Sequence, residues 1–396
     1  MIRVPVLLIL LTALAWWLHG EQQSGRFRHV DETFLDFLLA NTRDELKPDP
    51  AKASEVVFIT LREQDKAEYE AWPPLPIDYQ MILKALVASE PSTLAITEPL
   101  HWPEPKPPFL DQLAESLLLS PSVVLSAGAA TDGSADGAVL AFAKDKLPLI
   151  ARVQGVEGLL PVVVNVPAKP EPMLLRQADV GLSVPGKSAV AMRVGESVVP
   201  SVDLQILVHA TRTPFSRVRL NTGPGAGLHL GDEIFVPLSR EVSLPLGPTP
   251  VGELNAVDLI TASVTGEDAE VAKTLGKNKI VIIGQGDDAT RQRVQSMAAA
   301  LSLPRLRVLS FIEQVAAWSV AGLLAVSLLW LPRRKAILRA LLYLFLALTG
   351  SYLAFQNGRL WCPPAIPAAL LLAGGLFARL FGRAADTGLD SAPATP

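Results

Sequence analysis

Cysteine, histidine and charge are scarce in this chain, and each scarcity excludes a class of protein. One of the 396 residues is cysteine, Cys362, so no disulfide can form within the chain. The five histidines show no paired spacing, and no second soft ligand lies near any of them in sequence, so no zinc site is predicted. The net charge is −4, whereas a protein that neutralises phosphates needs a basic surface. We therefore expect no metal, no cofactor and no nucleic-acid partner.

Two glycine-containing strings match nucleotide-binding motifs without their context. Gly181–Ser188 has the P-loop spacing, but Val190, Met192 and Val194 then alternate as in a strand, where a P-loop requires a helix. Gly284–Asp288 follows an apolar run, but it lacks the third glycine, and its two carboxylates would repel a pyrophosphate. We expect a turn at Gly181–Ser188 and a loop at Gly284–Asp288. Weak binding of a hard cation is an alternative for Gly284–Asp288. No nucleophilic triad is visible, so no catalytic residue is assigned and the chain is not expected to be an enzyme.

Hydrophobic residues make up 49% of the chain, and many of them lie in four apolar runs. These runs are Val4–Leu18, Phe311–Leu331, Ile337–Phe355 and Ala365–Phe381. A membrane-spanning helix needs about 20 apolar residues, which the second and third runs provide and the fourth almost provides. The first run is short. It fits an uncleaved anchor that ends at a tryptophan pair, with a cleaved signal peptide as the alternative. We therefore expect about four transmembrane helices, one amino-terminal and three carboxy-terminal.

Positive charge in the short loops sets the expected orientation. Arg333, Arg334, Lys335 and Arg339 cluster between the second and third runs, whereas the loop after the third run holds only Arg359. Because basic loops stay on the cytoplasmic side, both termini are expected inside and the large middle region outside. The sequence therefore predicts a multi-pass protein of the bacterial inner membrane with a periplasmic domain.

These boundaries divide the chain into four parts. We expect an anchor over residues 1–20, an extracytoplasmic domain over 21–310, three transmembrane helices over 311–383 and a short polar cytoplasmic tail over 384–396. A tail of that length is too short for a catalytic domain, so we expect this chain to carry no effector of its own.

The extracytoplasmic region reads as an α/β domain with a mainly parallel sheet flanked by helices. Short apolar, β-branched runs typical of buried parallel strands alternate with helical patterns. The predicted strands are Glu55–Leu61, Thr93–Thr97, Ser122–Ala127 and Lys279–Gly284, and the predicted helices are Ile77–Ser89, one beginning at Leu110, and Ala256–Val264 capped by Asn255. Gly231-Asp232 between two apolar runs predicts a hairpin with a two-residue type II′ turn.

The chain resembles the second type of CHASE domain, an extracellular sensory module of bacterial adenylate cyclases, histidine kinases and serine/threonine kinases. The resemblance covers the layout from Val4 to Phe381. Its local features are Trp72-Pro73 before a helix, the strand Leu94–Thr97 before a proline-rich loop and Asp111, the hairpin at Gly231-Asp232, and Asp258 before Lys279–Gly284. The family usually has an Asp just after the first strand, where this chain has Leu61-Arg62. It usually has a Trp-Pro-Trp-Pro-Arg run, where this chain reads Trp72–Ile77, and an Asp that closes the second strand, where this chain has Glu98. The resemblance implies a sensor that passes its signal through the membrane helices to a separate kinase, cyclase or membrane protein.

A ligand site is expected at the carboxyl ends of the parallel strands, where open α/β sheets bind ligands. The residues predicted to lie near that edge are Arg62, Glu63, Trp72, Asp78, Glu98 and Asp287. A solvated rim is the alternative to a small-molecule ligand site for the same residues.

One stripe of small residues marks the second apolar run. Ala317, Ala321 and Ala325 recur every four residues, with Gly322 beside them, and such stripes let helices approach closely. Packing within the chain's own bundle, homo-oligomerisation and docking of a partner helix remain open. At the level of function, a structural or scaffold subunit of an envelope complex is the alternative to a sensor, and a P-loop hydrolase is a third reading.

Overall fold

The computed structural model contains two compact units. A helical unit comprises residues 1–43, 223–225 and 306–396, and an α/β unit comprises residues 44–222 and 226–305. The structure describes residues 3–381 apart from 24–25, 27, 42–48, 70, 132–146, 151, 157–158, 165–169, 177, 185–187, 223–224, 232–233, 240–242, 245–248, 266–273 and 304–305.

Helices and strands are numbered here along the chain. The helices are α1 (Arg3–Gln23), α2 (Arg28–Ala40), α3 (Pro50–Ala53), α4 (Pro76–Leu86), α5 (Leu110–Leu117), α6 (Val202–Ala210), α7 (Ala256–Thr265), α8 (Asp288–Ser302), α9 (Phe311–Ser327), α10 (Arg333–Gly358) and α11 (Ala365–Phe381). The strands are β1 (Val56–Leu61), β2 (Thr93–Pro99), β3 (Val123–Ala130), β4 (Arg152–Gln154), β5 (Leu160–Pro161), β6 (Val163–Val164), β7 (Asp179–Ser183), β8 (Ala191–Val194), β9 (Ser197–Pro200), β10 (Val218–Asn221), β11 (Gly227–Leu230), β12 (Ile234–Pro237), β13 (Gly252–Asn255), β14 (Ile280–Gln285), β15 (Arg307–Val308) and β16 (Leu360–Trp361).

A six-stranded parallel sheet forms the centre of the α/β unit. Its spatial order is β13-β1-β14-β2-β3-β7, and the short β6 pairs antiparallel with β3 at one end. All six residues of β1 are buried, as expected for a strand covered on both faces. The predicted α/β class and mainly parallel sheet are confirmed.

Helices cover both faces of this sheet. On one face, α4, α5 and α7 bury an apolar core against alternate residues of β1, namely Val57, Ile59 and Leu61. On the other face, α6 contacts β7, β2 and β3, and α8 contacts β1 and β14. Because side chains of a strand point alternately to its two faces, each face receives its own apolar set.

Polar side chains fix where several helices begin. Asp78 of α4 accepts a hydrogen bond from the backbone N–H of Leu75 (2.7 Å), just before the helix. Asn255 accepts one from the N–H of Val257 at the start of α7 (3.1 Å), as predicted for its cap. Asp287 caps α8 by accepting from the N–H of Thr290 (2.8 Å). The loop predicted over Gly284–Asp288 is present but shorter, because β14 continues to Gln285 and α8 starts at Asp288.

The predicted hairpin is present. β11 and β12 pair antiparallel, and the register places Leu230 opposite Ile234. Gly231, where the turn begins, has φ of +69°, a left-handed conformation that glycine adopts without steric cost. Asp232, the second residue of the predicted type II′ turn, lies outside the described residues.

In the helical unit, α11 contacts α1, α9 and α10. These helices share an apolar core, and their exposed faces carry large hydrophobic side chains such as Ile9, Ile312, Leu338 and Phe345. Three stretches are long and apolar enough to cross a membrane: Arg3–Gln23, Phe311–Trp330 and Lys335–Gly358. α11 is apolar but has only 17 residues, so of the four expected spans three meet the length requirement.

Candidate functional site

A cavity of about 630 Å³ lies at the carboxyl edge of the parallel sheet. Its walls come from the ends of four strands, from the start of α8 and from α6. The lining includes Thr97 and Glu98 of β2, Gly128 of β3, Ser183 of β7, Gln285 of β14, Asp203 of α6, and Asp287, Thr290, Arg293 and Ser296 at or within α8. Its volume is in the range of ligand pockets, and its position is the one where open α/β sheets bind ligands.

Glu98 is the carboxylate of the cavity with the weakest hydrogen bonding. It follows the apolar part of β2 and is half-buried, and its hydrogen bonds from the backbone N–H and the side-chain amide of Gln285 are long, at 3.4 and 3.3 Å. Burial raises the pKa of Glu98 and the negative charge of Asp287 raises it further, while the Gln285 N–H and Arg293 act in the opposite direction. A carboxylate held in this way would gain from a hydrogen-bond donor or a cation in the cavity.

Asp287 lies near enough to Glu98 to influence its charge, and it caps α8. Its two oxygens accept hydrogen bonds from the N–H (2.8 Å) and the hydroxyl (2.9 Å) of Thr290. The side chain is exposed, so its charge faces the cavity mouth while its hydrogen bonds hold the first turn of the helix. Together, Asp287 and Glu98 make the cavity electronegative.

A buried ion pair forms the opposite wall. Nε of Arg293 on α8 lies 2.7 Å from both carboxylate oxygens of Asp203 on α6, and the Asp203 side chain is 3% exposed. Arg293 also approaches Ser183 Oγ at the end of β7 (3.4 Å). The pair therefore connects the two helices that pack on this side of the sheet and brings no net charge into the cavity.

Arg62 lies at the same sheet edge outside the cavity lining. A Cβ added at Gly286 would meet Arg62 Cγ at 3.1 Å, which places Arg62 beside the β14–α8 turn. Its guanidinium is 3.5 Å from Glu253, which also accepts from Arg291 at 3.0 Å. Pairing with Arg291 lowers the pKa of Glu253. The charges of Arg62, Arg291 and Glu253 therefore interact with one another.

The structure places the other predicted residues away from the cavity. Glu63 is exposed at the start of a short 3-10 helix, Glu63–Glu68. Trp72 packs on Tyr69 with ring centroids 5.8 Å apart and joins the core on the α4 side of the sheet. Asp78 is buried and caps α4. Of the six residues predicted for a ligand site, the cavity brings together Glu98 and Asp287.

Sequence reasoning missed Asp203 and Arg293. The signal for α8 was available, because Asp287 is a favourable cap and Val294, Met297 and Ala298 follow at helical spacing on the buried side. Nothing in the sequence could pair Asp203 with Arg293, because 90 residues separate them.

A larger cavity, of about 850 Å³, lies at the opposite, amino-terminal edge of the sheet. It includes Ser122, Asp179 and His209, with His209 Nε2 2.8 Å from Asp179 Oδ2, and much of its lining is apolar, such as Leu86 and Leu119. The carboxyl edge remains the better candidate despite its smaller cavity, because loops after parallel strands carry the polar groups that fix a ligand.

The remaining motif predictions concern nucleotides and metals. After Ser188 the chain forms the strand β8, so the P-loop-like string leads to no helix N-terminus that could face a phosphate. In the part of the chain that the structure describes, no group of three or more His, Cys, Asp or Glu side chains could hold a metal ion.

The small-residue stripe packs partly inside the helical unit. Ala321 and Ala325 are buried in its core, and a Cβ added at Gly374 of α11 would lie 2.4 Å from the Cβ of Ala325. Ala317 is partly exposed, and Gly322 has no atom within 4 Å of an added Cβ. Two residues of the stripe, Ala321 and Ala325, therefore pack against other helices of the same chain.

No family model, no curated protein and no solved structure matches this chain.

Proposed function

We propose that this protein is a membrane-anchored sensor whose α/β unit binds a small ligand at the carboxyl edge of its sheet. One observation carries the proposal: α8 lines the cavity and is also the last helix of the α/β unit. Asp287, Arg293 and Ser296 face the cavity, and Ser302 at the end of the helix accepts a hydrogen bond from the N–H of Asp49 (3.1 Å). A ligand that moves α8 would therefore act on both chain segments that lead, in sequence, to membrane helices.

The chemistry of the cavity favours a ligand with a positive charge. Glu98 and Asp287 supply two carboxylates, whereas Arg293 is neutralised by Asp203. Hydroxyls and amides, such as those of Ser183, Thr290 and Gln285, complete a polar lining without an aromatic platform among the described residues. A compact amine matches this arrangement, because its N–H groups donate to carboxylates and hydroxyls.

Signal output is proposed to occur through the membrane helices to a separate protein of the kinase or cyclase class. The resemblance to CHASE domains supports this, as does the order of elements, in which α8 precedes α9 by a short connection. A shift of packed helices between two arrangements is an established physical means of passing such a signal. The basic cluster at the start of α10 supports an inner-membrane protein with its α/β unit outside.

Thermal unfolding of the detergent-solubilised full chain tests ligand binding directly. Putrescine and agmatine serve as cationic probes, and succinate and glucose serve as anionic and neutral controls. We expect the cations alone to raise the melting temperature of the α/β unit, because a ligand that binds only the folded state stabilises it. Glu98→Gln should remove the effect and Asp111→Asn, on α5, should keep it. An equal response to all four compounds, or to none, would contradict a cation-binding sensor.

Cross-linking in membranes followed by purification in detergent tests the output. We expect one kinase, cyclase or membrane protein to be recovered repeatedly with the full chain. Recovery of no partner, alongside a positive ligand response, would leave a binding protein without signalling and so would overturn only the second half of the proposal.

A structural subunit of an envelope complex is the second candidate, and it is favoured because three of the six predicted ligand residues make contacts within the protein instead. Asp78 caps a helix, Trp72 joins a core, and Arg62 contacts Glu253. Such a subunit would show no ligand response at all, and its partners would depend on the outer surface of the α/β unit.

A further inference from the structure

A buried carboxyl connects three segments of the helical unit. Asp31 on α2 is 7% exposed. Its Oδ1 accepts a hydrogen bond from the backbone N–H of Ala365, the first residue of α11 (2.9 Å), and its Oδ2 accepts one from Nε2 of Gln22 near the end of α1 (2.9 Å). Because α11 contacts α1, α9 and α10, Asp31 joins α2 to the helix on which the other three pack.

Two effects act on this carboxyl in opposite directions. The N–H at the start of α11 and the Gln22 amide favour the ionised form, since a helix N-terminus and hydrogen-bond donors stabilise negative charge. Removal from water favours the neutral form. The effect of burial is the larger of the two, and it raises the pKa of Asp31 to about 7 although the two hydrogen bonds lower it. The proton is therefore gained and lost near neutral pH.

Gln22 can satisfy Asp31 in either protonation state. In the present arrangement Nε2 donates to Asp31, whereas Gln22 Oε1 is buried and has no hydrogen-bond partner among the described residues. A protonated Asp31 carries an O–H that needs an acceptor. Rotation of the Gln22 amide by half a turn would present Oε1 to that proton and leave the Ala365 hydrogen bond intact.

We propose that Asp31 is a proton-binding site that controls how firmly α2 is attached to α1 and α11, so that the helical unit responds to pH. With the proton bound, a neutral carboxyl is buried and both of its oxygens are paired. With the proton lost, a charge is buried, and movement of α2 away from α1 and α11 becomes more favourable because water can then reach it. The proton comes from and returns to bulk water.

Ionisable side chains on the neighbouring elements do not account for this behaviour. They include His19 and Glu21 on α1, His29, Glu32 and Asp36 on α2, Glu313 on α9, Arg359 and Cys362 between α10 and α11, and Arg379 at the far end of α11. The pKa of Asp31 is set by burial, by Ala365 and by Gln22, and no charged neighbour contributes. The site also shares no residue with the cavity of the α/β unit, so the inference does not rest on the proposed function.

The sign of the expected pH dependence follows from linkage. A carboxyl whose pKa is higher in the folded state stabilises that state when it is protonated. The stabilisation is fully present below the unfolded pKa, about 4, and is lost as the pH rises through about 7. The wild-type helical unit should therefore become less stable between these values and then level off.

The test uses the full chain in lipid nanodiscs, with infrared difference spectra and thermal unfolding measured from pH 4 to 9. In the wild type, a protonated-carboxyl band should disappear with a midpoint near 7 while the melting temperature of the helical unit falls. Asp31→Asn keeps an acceptor for Ala365 and a donor for Gln22 Oε1, so it should lack that band, lack the fall, and exceed the wild type in melting temperature at pH 8.5. Asp36→Asn, at an exposed position of the same helix, should behave like the wild type.

A further variant keeps the inference testable if Asp31→Asn does not fold. Gln22→Leu removes a hydrogen bond that is stronger to the ionised carboxylate than to the neutral carboxyl, so the midpoint should move to higher pH by about one unit. An unchanged or lower midpoint in Gln22→Leu would overturn the proposal. The same holds if Asp31→Asn and the wild type show identical band loss and identical melting profiles.

Discussion

The Arg293 guanidinium meets the buried Asp203 carboxylate through one nitrogen, with Nε 2.7 Å from each of its oxygens. This contact joins α8 to α6 across one wall of the cavity. An ion pair at this depth is not expected to add much stability by itself, because removing both charges from water costs about as much as their attraction returns. The main effect of the ion pair is to hold α8 in position at the carboxyl edge of the sheet.

Arg293→Met is therefore expected to destabilise the α/β unit strongly. It leaves the Asp203 charge buried and uncompensated, which costs roughly 3–5 kcal/mol. Arg291→Met is the matched control, because Arg291 is part-exposed and pairs with Glu253 at the surface, so its loss should cost about 1 kcal/mol or less. Urea unfolding followed by circular dichroism measures both. The double variant Asp203→Leu with Arg293→Met should recover most of the loss, and failure to do so would show that Arg293 acts through other contacts.

Binding of an amine to the cavity should weaken as the pH falls. The pKa of Glu98 is raised by burial, so this carboxylate loses its charge at a higher pH than an ordinary glutamate does. A cation then loses one charge-assisted hydrogen bond, which corresponds to about tenfold or more in affinity. Isothermal titration of putrescine between pH 5 and 8 measures the change. Glu98→Gln should bind weakly at every pH, and a pH-independent wild type would exclude Glu98 as the contact.

Two glycines of the helical unit should respond oppositely to alanine. A Cβ at Gly374 would lie 2.4 Å from the Cβ of Ala325, so Gly374→Ala must force α9 and α11 apart, at a cost of roughly 1–3 kcal/mol. Gly322 has open space around an added Cβ, and Gly322→Ala should leave stability unchanged or slightly raised. Thermal unfolding in detergent compares the two. A large loss in Gly322→Ala would indicate that its open face is occupied, by a second copy or by a partner helix.

Reporter fusions should place the loops on alternating sides of the membrane. Fusions after Ser24 and Arg359 are expected to give an active exported phosphatase, and fusions after Arg334 and Ala385 an inactive one, because basic loops remain cytoplasmic. Green fluorescent protein fused at the same four positions should give the reverse pattern. An exported reporter at Ala385 would mean that α11, with 17 residues, does not cross the membrane.

The sequence alone determined the parts of the fold that depend on short-range patterns. β1, β2, β3 and β14 are continuous β-branched or apolar runs between turn residues, and such runs fit strands buried on both faces in any parallel sheet. The apolar membrane stretches are equally local, because their composition and length suffice. Glu98 and Asp287 could be placed at one sheet edge because each follows a predicted strand.

Tertiary structure decided which side chains meet. β14 lies between β1 and β2, although it comes last of the three in the chain, and this order brings Gln285 to Glu98 and α8 to the cavity. The Asp203–Arg293 and Asp31–Ala365 contacts join residues that are 90 and 334 positions apart. Residue spacing carries no information about such pairs, because their energy depends on burial and on geometry that exists only once the sheet and the helices have packed.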